Sequence, residues 1–431
     1  MLKAIHTSEA QSHISETNSV QGFVHALRVQ SKIIFLILRD ITGSIQCVFL
    51  DSSPDFDRAK SLSLESVVRI TGKVKAEKNA PGGVEIEVSS LEILSSAGPE
   101  LPIPVDVRKG GEETDAPVRF DYRWIDLRKP EKAIIFKVWT EFERGWRKYW
   151  LENGFTQLYT PSFMSTPSES GAEVFQVDYF DRKAYLAQSP QFYKQMAIAS
   201  GLERVFMVGP VFRAEPSFTT RHLTEFTGWD FEIGFIESHH DVMDAEEGMI
   251  VSGMEAVKSV FPDIQIEIPV RPFPRITMVE AKRILKEKNV PSPDEHDVSP
   301  EEEREISNHI RESEKHDFVF ITDYHKSKSA FYHMRHEDDN ERAKRADLLY
   351  RGMEVTTLAQ REHRPEILEK QAKDKGMVLE PLRDYINFFR WGCPPHGGAG
   401  IGPGRFIMKI LDLPNVREAT YLPRDVKRLN P

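Results

Sequence analysis

Phe212-Arg213-Ala214-Glu215 is followed, after a short polar turn, by Arg221-His222-Leu223-Thr224-Glu225-Phe226-Thr227. The pattern reads as two antiparallel strands. The first ends on an arginine and a glutamate; the second starts at Phe226 and runs to Ile236 through the alternation Trp229-Asp230-Phe231-Glu232-Ile233. Such a hairpin offers a guanidinium that forks onto phosphate, a carboxylate for the polar edge of a base, and an aromatic face for stacking. Taken alone, one charged hairpin is no different from a solvated one. Here a glycine-rich run ending in arginine, Gly397-Gly398-Ala399-Gly400-Ile401-Gly402-Pro403-Gly404-Arg405, lies downstream, and Glu152-Asn153-Gly154-Phe155, leading to Thr160-Pro161, lies upstream. Glycines before a helix start let backbone come close to a nucleotide.

In that order the three elements resemble motifs 1, 2 and 3 of the class II aminoacyl-tRNA synthetases. The resemblance implies ATP as substrate, with Arg213 at its α-phosphate, where a planar guanidinium matches phosphate oxygens. It places Glu215 at the adenine amino group, Phe226 on the base, and Arg221 and His222 over the triphosphate. Arg405 becomes a second adenine-stacking, γ-phosphate-binding arginine. Asp347 and Glu354, with Thr357 standing where a serine is frequent, match the Mg²⁺-binding acids of one subclass; hard cations of this kind take oxygen ligands. Without the motifs, the two acids would read as surface charge.

The run Gln188-Ser189-Pro190-Gln191-Phe192-Tyr193-Lys194-Gln195 resembles the signature of the aspartyl-tRNA synthetases. There the lysine, here Lys194, pairs with the side-chain carboxylate of aspartate, and the glutamine matching Gln191 lies near its α-amino group. Arg361 supplies a second cation, Asp230 matches the holder of the substrate ammonium, and Glu169 matches an acid on a mobile loop. An acidic substrate calls for a buried cation; asparaginyl enzymes lack the lysine, since a neutral amide does not. Three positions depart from the family pattern: Leu358 replaces a common glycine, which would narrow the pocket, Ala399 a frequent aromatic, and Gly404 a common acid.

At 431 residues the chain should hold about two or three domains. Residues 1–104 carry five short strand patterns, Val20–Val29, Ile33–Arg39, Ser44–Leu50, Val67–Lys75 and Val84–Leu94, with turn signals between them. Five strands suggest a small barrel, and the OB-fold is one that binds oligonucleotides. Within it, Phe35 and Gln46 match anticodon-reading positions. Residues 105–131, rich in proline and glycine, read as a linker, and 132–431 as the catalytic domain. The expected class is therefore α+β: an N-terminal five-stranded OB-fold β-barrel and a C-terminal class II antiparallel sheet flanked by helices. A helix over about 132–150 carries an apolar stripe, Ile135, Val138, Trp139, Phe142, Trp146 and Tyr149, for a core or a subunit interface. Residues 296–316 read as a solvated charged helix without chemistry, and 365–390 as a further helix.

A net charge of −10, from 57 Lys+Arg against 67 Asp+Glu, argues against indiscriminate nucleic-acid binding but not against a local basic patch. Two cysteines, Cys47 and Cys393, make neither a disulfide framework nor a four-cysteine zinc site and suit a reducing cytoplasm. No apolar run reaches membrane-spanning length and no signal-peptide core is present. The reducing cytoplasmic compartment follows from these features; the resemblance to the aspartyl-tRNA synthetases implies the rest, a homodimeric aspartate–tRNA ligase of the archaeal/eukaryotic type that uses ATP and Mg²⁺ and charges tRNA(Asp). Charging of tRNA(Asn) as well, with a downstream tRNA-dependent amidotransferase, is what the resemblance to short bacterial relatives implies, and the glycine-rich loop Lys78–Gly83 fits it by offering few side chains able to reject a wrong base edge. An asparaginyl-tRNA synthetase, an asparagine-forming paralogue and a catalytically silent RNA-binding relative are the competing readings.

Overall fold

The computed structural model describes residues 3–106, 112–167 and 173–430, in two compact units that divide between Val118 and Arg119. In the first unit, β1 (Ala4–Ile5) pairs in parallel with β2 (Thr17–Val29), followed by β3 (Ile33–Arg39), β4 (Ser44–Leu50), β5 (Val67–Ala76) and β6 (Val84–Ser95). Pairing runs β2-β3-β4-β6-β5 and closes back onto β2, with β4 and β6 parallel and the remaining neighbours antiparallel. Strand alternation sends Val20, Val24, Ile34, Leu36, Leu38, Ile45, Cys47, Val68, Ile70 and Ile86 into the barrel. Closure requires Gly72, whose Cβ would stand 2.1 Å from the carbonyl oxygen of Glu87.

Two short helices, Ala116–Asp121, which spans the division, and Arg123–Asp126, form inside the stretch that proline and glycine content marks as a linker. Their Arg119, Arg123 and Asp126 are buried with Glu418 in an ion-pair network. Helix α1 (Pro130–Glu152) starts on Pro130 and is followed by Gly154 at φ 76°, the favoured placement of these two residues at helix ends. Strands β7 (Thr156–Gln157), β8 (Phe163–Met164), β9 (Gln176–Tyr179) and β10 (Arg182–Leu186) lead to helix α2 (Gln191–Ala199). The hairpin β11 (Arg204–Phe212) and β12 (Glu225–Gly234) precedes helix α3 (His239–Val260). Then come β13 (Arg275–Thr277), α4 (Met278–Glu287), α5 (Pro300–Glu314), β14 (Phe318–Thr322), β15 (Arg345–Tyr350), β16 (Glu354–Arg361), β17 (His396–Ile401) and α6 (Pro403–Ile410).

The main sheet is ordered β13-β14-β15-β16-β17-β12-β11-β7. It is antiparallel from β14 to β11, as expected, and its two short edge strands add parallel pairs, which makes the sheet as a whole mixed. The stripe of α1 faces inward: Ile135, Val138, Phe142, Trp146 and Trp150 join Trp229, Phe231 and α3 residues in one core. This stripe is covered by its own chain, which removes the subunit-interface reading. The α1–α3 crossing is close because both helices carry glycine: a Cβ on Gly145 would lie 2.2 Å from the Ser252 carbonyl oxygen, and one on Gly253 2.5 Å from Trp146. The expected helix over 365–390 is broken into Pro365–Asp374 and Arg383–Phe389, with Gly376 at φ 72° between them. The charged segment forms α5 as expected, yet Glu302 and Glu303 are buried.

Candidate active site

The four adjacent strands β16, β17, β12 and β11 floor a cavity of about 890 Å³. The β11–β12 hairpin keeps register up to Phe212 opposite Glu225, and the Arg213 amide donates to the Thr224 carbonyl at 2.9 Å. This brings Arg213, Glu215, Arg221, His222 and Phe226 to the cavity wall. Gln191, Asp230, Glu354, Thr357, Arg361 and Arg405 line it as well. Eleven of the residues singled out in the sequence therefore converge on one space.

The closed end is a set of buried, paired charges. Lys194 Nζ donates to Asp230 Oδ2 at 2.8 Å and to the Ala399 carbonyl at 3.0 Å, and lies 3.4 Å from Glu232 Oε2. Arg361 Nε donates to Glu232 Oε1 at 3.0 Å and Nη2 to the Gly398 carbonyl at 2.8 Å. Burial alone would raise the Glu232 carboxyl; Arg361 and then Lys194 outweigh it and hold it below its ordinary value. Two cations thus face two carboxylates. Gly398 makes room for this: a Cβ there would stand 2.3 Å from Glu232 Oε2. Behind the set, Gln191 Nε2 donates to Gln195 Oε1 at 2.9 Å, and the other end of Gln195 meets His396 Nε2 at 3.0 Å. His396 Nδ1 lies 2.9 Å from the Pro394 carbonyl, which assigns the proton to Nδ1 and leaves Nε2 to accept. Burial depresses this imidazole to about 4, keeping it neutral.

The mouth is looser. Arg213 stands 3.7 Å from Glu215 and 5.6 Å from the centre of the Phe226 ring, and its side chain is 44% exposed. His222 lies 3.9 Å from Glu215, and burial, followed by Arg405, lowers its pKa. Arg405 donates to the Glu354 carbonyl at 2.8 Å and stands 3.5 Å from its carboxylate. Arg221 does not point freely into the space: its Nη1 is 2.9 Å from each carboxylate oxygen of Glu303 on α5. The reading of this helix as solvated and without chemistry is therefore corrected at Glu303.

Asp347 and Thr357 are register partners on β15 and β16, and Thr357 donates to Glu354 Oε1 at 3.3 Å. Asp347 is engaged by Arg345, at 2.6 Å and 3.3 Å. Burial, with Glu354 adding, raises the Asp347 carboxyl although Arg345 opposes it. Burial would raise the Glu354 carboxyl, 34% exposed, but Arg405 and then Arg345 hold it below its ordinary value. An ionised carboxylate beside Asp347 and the Thr357 hydroxyl is an all-oxygen donor set of the kind a hard divalent cation takes.

Lys194 and Asp347 do not themselves line the cavity, while Glu169 falls outside the described residues. Phe35 is half-buried on the outer face of the barrel opposite Arg28, and Gln46 donates to Glu85 at 2.9 Å. Leu358 does not narrow the cavity, as its sequence position suggested. It is fully buried on the other face of β16, directly opposite Ala399 and Ala346. The large residue at 358 and the small one at 399 are thus complementary, and the two departures account for each other. Sequence reading missed Glu232, Arg345 and Glu303. Glu232 had a signal: two residues beyond Asp230 on a strand, it shares that residue's face.

Residues 115–426 match the family described as tRNA synthetases class II (D, K and N), and residues 19–94 the OB-fold nucleic acid binding domain. The chain is 41% identical over 423 residues to the aspartate–tRNA(Asp/Asn) ligase of Aeropyrum pernix, covering 96% of this chain and 95% of that protein. It is 38% identical to the aspartate–tRNA(Asp) ligase of Thermoplasma volcanium, covering 96% of each. Among solved structures, asparaginyl-tRNA synthetase from Pyrococcus horikoshii complexed with asparaginyl-adenylate superposes with a TM-score of 0.92 at 31% identity, over all of both chains.

Proposed function

The chain belongs to the class II tRNA synthetases of the D, K and N group, and we propose that within it this enzyme is an aspartate–tRNA ligase. A carboxylate oxygen of aspartate attacks the α-phosphorus of ATP, and pyrophosphate leaves. The terminal ribose hydroxyl of tRNA then attacks the aspartyl carbonyl, and AMP leaves. No side chain need act as a nucleophile; positioning and charge stabilisation carry both steps.

The observation that carries the reading is the buried set Lys194, Asp230, Glu232 and Arg361. Asp230 takes the substrate ammonium, which loosens its hold on Lys194. Lys194 and Arg361 then meet the side-chain carboxylate, with Glu232 keeping both oriented. Gln191 and Glu169 complete the amino-acid end. At the mouth Arg213 offsets charge on the α-phosphate, Glu215 receives the adenine amino group, and Phe226 and Arg405 sandwich the base. Arg221 and His222 serve the triphosphate. Glu354, Asp347 and Thr357 would hold Mg²⁺, which supplies neutralisation of phosphate charge when bound. The asparaginyl reading is disfavoured because a neutral amide has no use for both Lys194 and Arg361.

In the barrel, Phe35 stacks on an anticodon base and Gln46 reads an edge. The loop at 78–83 has Gly82 and Gly83 at φ 70° and 75°, and the Asn79 amide is occupied by Glu77 at 3.1 Å. It offers few base-edge readers, so tRNA(Asn) is charged beside tRNA(Asp), and an amidotransferase would convert the mischarged product. Relatives carrying either name are consistent with this. Aspartylation of purified tRNA(Asp) and tRNA(Asn) is the test: comparable charging is expected, whereas a preference of several hundredfold for tRNA(Asp) would refute relaxed reading. Among the described residues no helix is long and apolar enough to cross a membrane, and both cysteines are free, in keeping with a cytoplasmic enzyme. Tyr159, Phe163 and Phe180, on and near the motif 1 segment, are exposed and would be covered in an isologous homodimer. Sedimentation should give a dimer; an active monomer at micromolar concentration would exclude it.

A further inference from the structure

Helix α5 is set by a capping box, in which the Ser299 hydroxyl accepts from the Glu302 amide at 3.3 Å and Glu302 Oε2 accepts from the Ser299 amide at 2.6 Å. Its first turn carries three glutamates, a placement the helix dipole favours, and they diverge. Glu301 is exposed. Glu302 turns to α4 and the loop after it, where Lys282 and Ser292 respectively donate to it at 2.6 Å. Glu303 turns to the cavity mouth, where it binds Arg221 through both oxygens and accepts the backbone amide of Glu354 at 3.2 Å. Both partners of the ion pair are largely buried, at 12% and 4% side-chain exposure. The next residue, Arg304, packs on Gly352, which turns the chain from β15 into β16 at φ 77°. One helix start therefore touches both the motif 2 turn and the strand that presents Glu354.

We propose that Glu303 is a positioning residue for the nucleotide: it aims Arg221 at the triphosphate end before ATP arrives and ties it to the strand carrying Glu354. Both bonds from Arg221 leave through Nη1, so the Nη2 and Nε edge remains for phosphate oxygens. A carboxylate there does not compete for the whole guanidinium; it fixes one corner and presents the rest. An arginine left to its own rotamers would lose this alignment and the entropy already spent on it. The inference rests on the ligase reading and adds to it a residue outside the three motifs.

The test is steady-state ATP–pyrophosphate exchange with aspartate. Glu303→Gln keeps an acceptor for the Glu354 amide and removes the charge that holds Arg221. It should raise KM for ATP about tenfold or more, as loss of a buried charged hydrogen bond does, with KM for aspartate and the unfolding midpoint little changed. Glu303→Asp should fall between the two. In an Arg221→Ala background the Glu303→Gln change should add less than about twofold, because coupled residues are not additive. An unchanged or lowered KM for ATP, or an equal loss in the Arg221→Ala background, would overturn the proposal. Should Glu303→Gln fail to fold, Glu303→Asp alone and in the Arg221→Ala background carries the same comparison. Absence of aspartate-dependent exchange in the unaltered protein would instead remove the ligase reading.

Discussion

The two ends of the cavity are built differently. At the closed end Lys194 and Arg361 lie within 3.0 Å of Asp230 and Glu232, and their side chains are 1% and 3% exposed. At the mouth Arg213, His222 and Arg405 stand 3.5–3.9 Å from their nearest carboxylates, and Arg213 is half open to solvent. The closed end is a charge lattice complete before any ligand arrives, and such buried pairs are costly to break. Apart from Arg221, which Glu303 holds at 2.9 Å, the mouth is a loose array of polar groups around Arg213 and Arg405, suited to a flexible polyanion that brings its own charge. On the ligase reading proposed above, selection of the amino acid becomes a matter of exchanging partners, and capture of the nucleotide one of filling a more open field.

If that contrast holds, substitution at the closed end should have the larger effect. Lys194→Leu removes one of the two cations that meet the substrate carboxylate in a dry site, a loss of about 3–5 kcal/mol. Aspartate-dependent exchange should fall by roughly hundredfold to several thousandfold while ATP binding, followed by calorimetry, changes little. An unaffected exchange rate would break the comparison. At the mouth, Phe226→Leu keeps bulk and removes the aromatic face. It should raise KM for ATP by about three- to tenfold, in line with the modest worth of stacking, and leave KM for aspartate alone. A loss as large as that of Lys194→Leu would show that the mouth is no looser than the closed end.

How far the sequence foretold this contrast depends on the kind of signal. The barrel strands, the hairpin and the glycine run were legible because alternation and glycine are local properties. Lys194, Asp230 and Arg361 were legible only through motif resemblance, and their mutual pairing was not, since it joins α2, β12 and β16. Glu303 was misread because Glu301-Glu302-Glu303-Arg304-Glu305 has the composition of a solvated face; only the packing of α5 beside the motif 2 turn reveals otherwise. Leu358 was misread because strand register, which turns it into the core, is not written in the residue itself.

A smaller effect sharpens the same comparison away from either end. Glu232 and Glu246 are both fully buried carboxylates. Glu232 has two cations and is held low; Glu246, on α3, has no ion-pair partner among the described residues, and burial, with Glu247 and Asp347 adding, pushes it up to about 8. A carboxyl whose folded value lies above its unfolded one stabilises fully below the unfolded value, and that contribution is lost as pH rises through the folded value. Between about pH 4.5 and 8 the fold should therefore lose this contribution. Glu246→Gln should match the unaltered protein in unfolding midpoint at pH 5 and exceed it by a few degrees, about 2 °C or more, at pH 9. No widening of the gap with pH would show that Glu246 is ionised without cost and that pairing is not what distinguishes Glu232.

The central claim, that the closed end selects a carboxylate side chain by exchanging its ion-pair partners, is met most directly by ATP–pyrophosphate exchange driven by aspartate and, separately, by asparagine. The unpaired cation left by a neutral amide should cost a factor of about a hundred or more in kcat/KM, so exchange should run with aspartate and nearly vanish with asparagine. Comparable exchange with both amino acids, or a preference for asparagine, would contradict it.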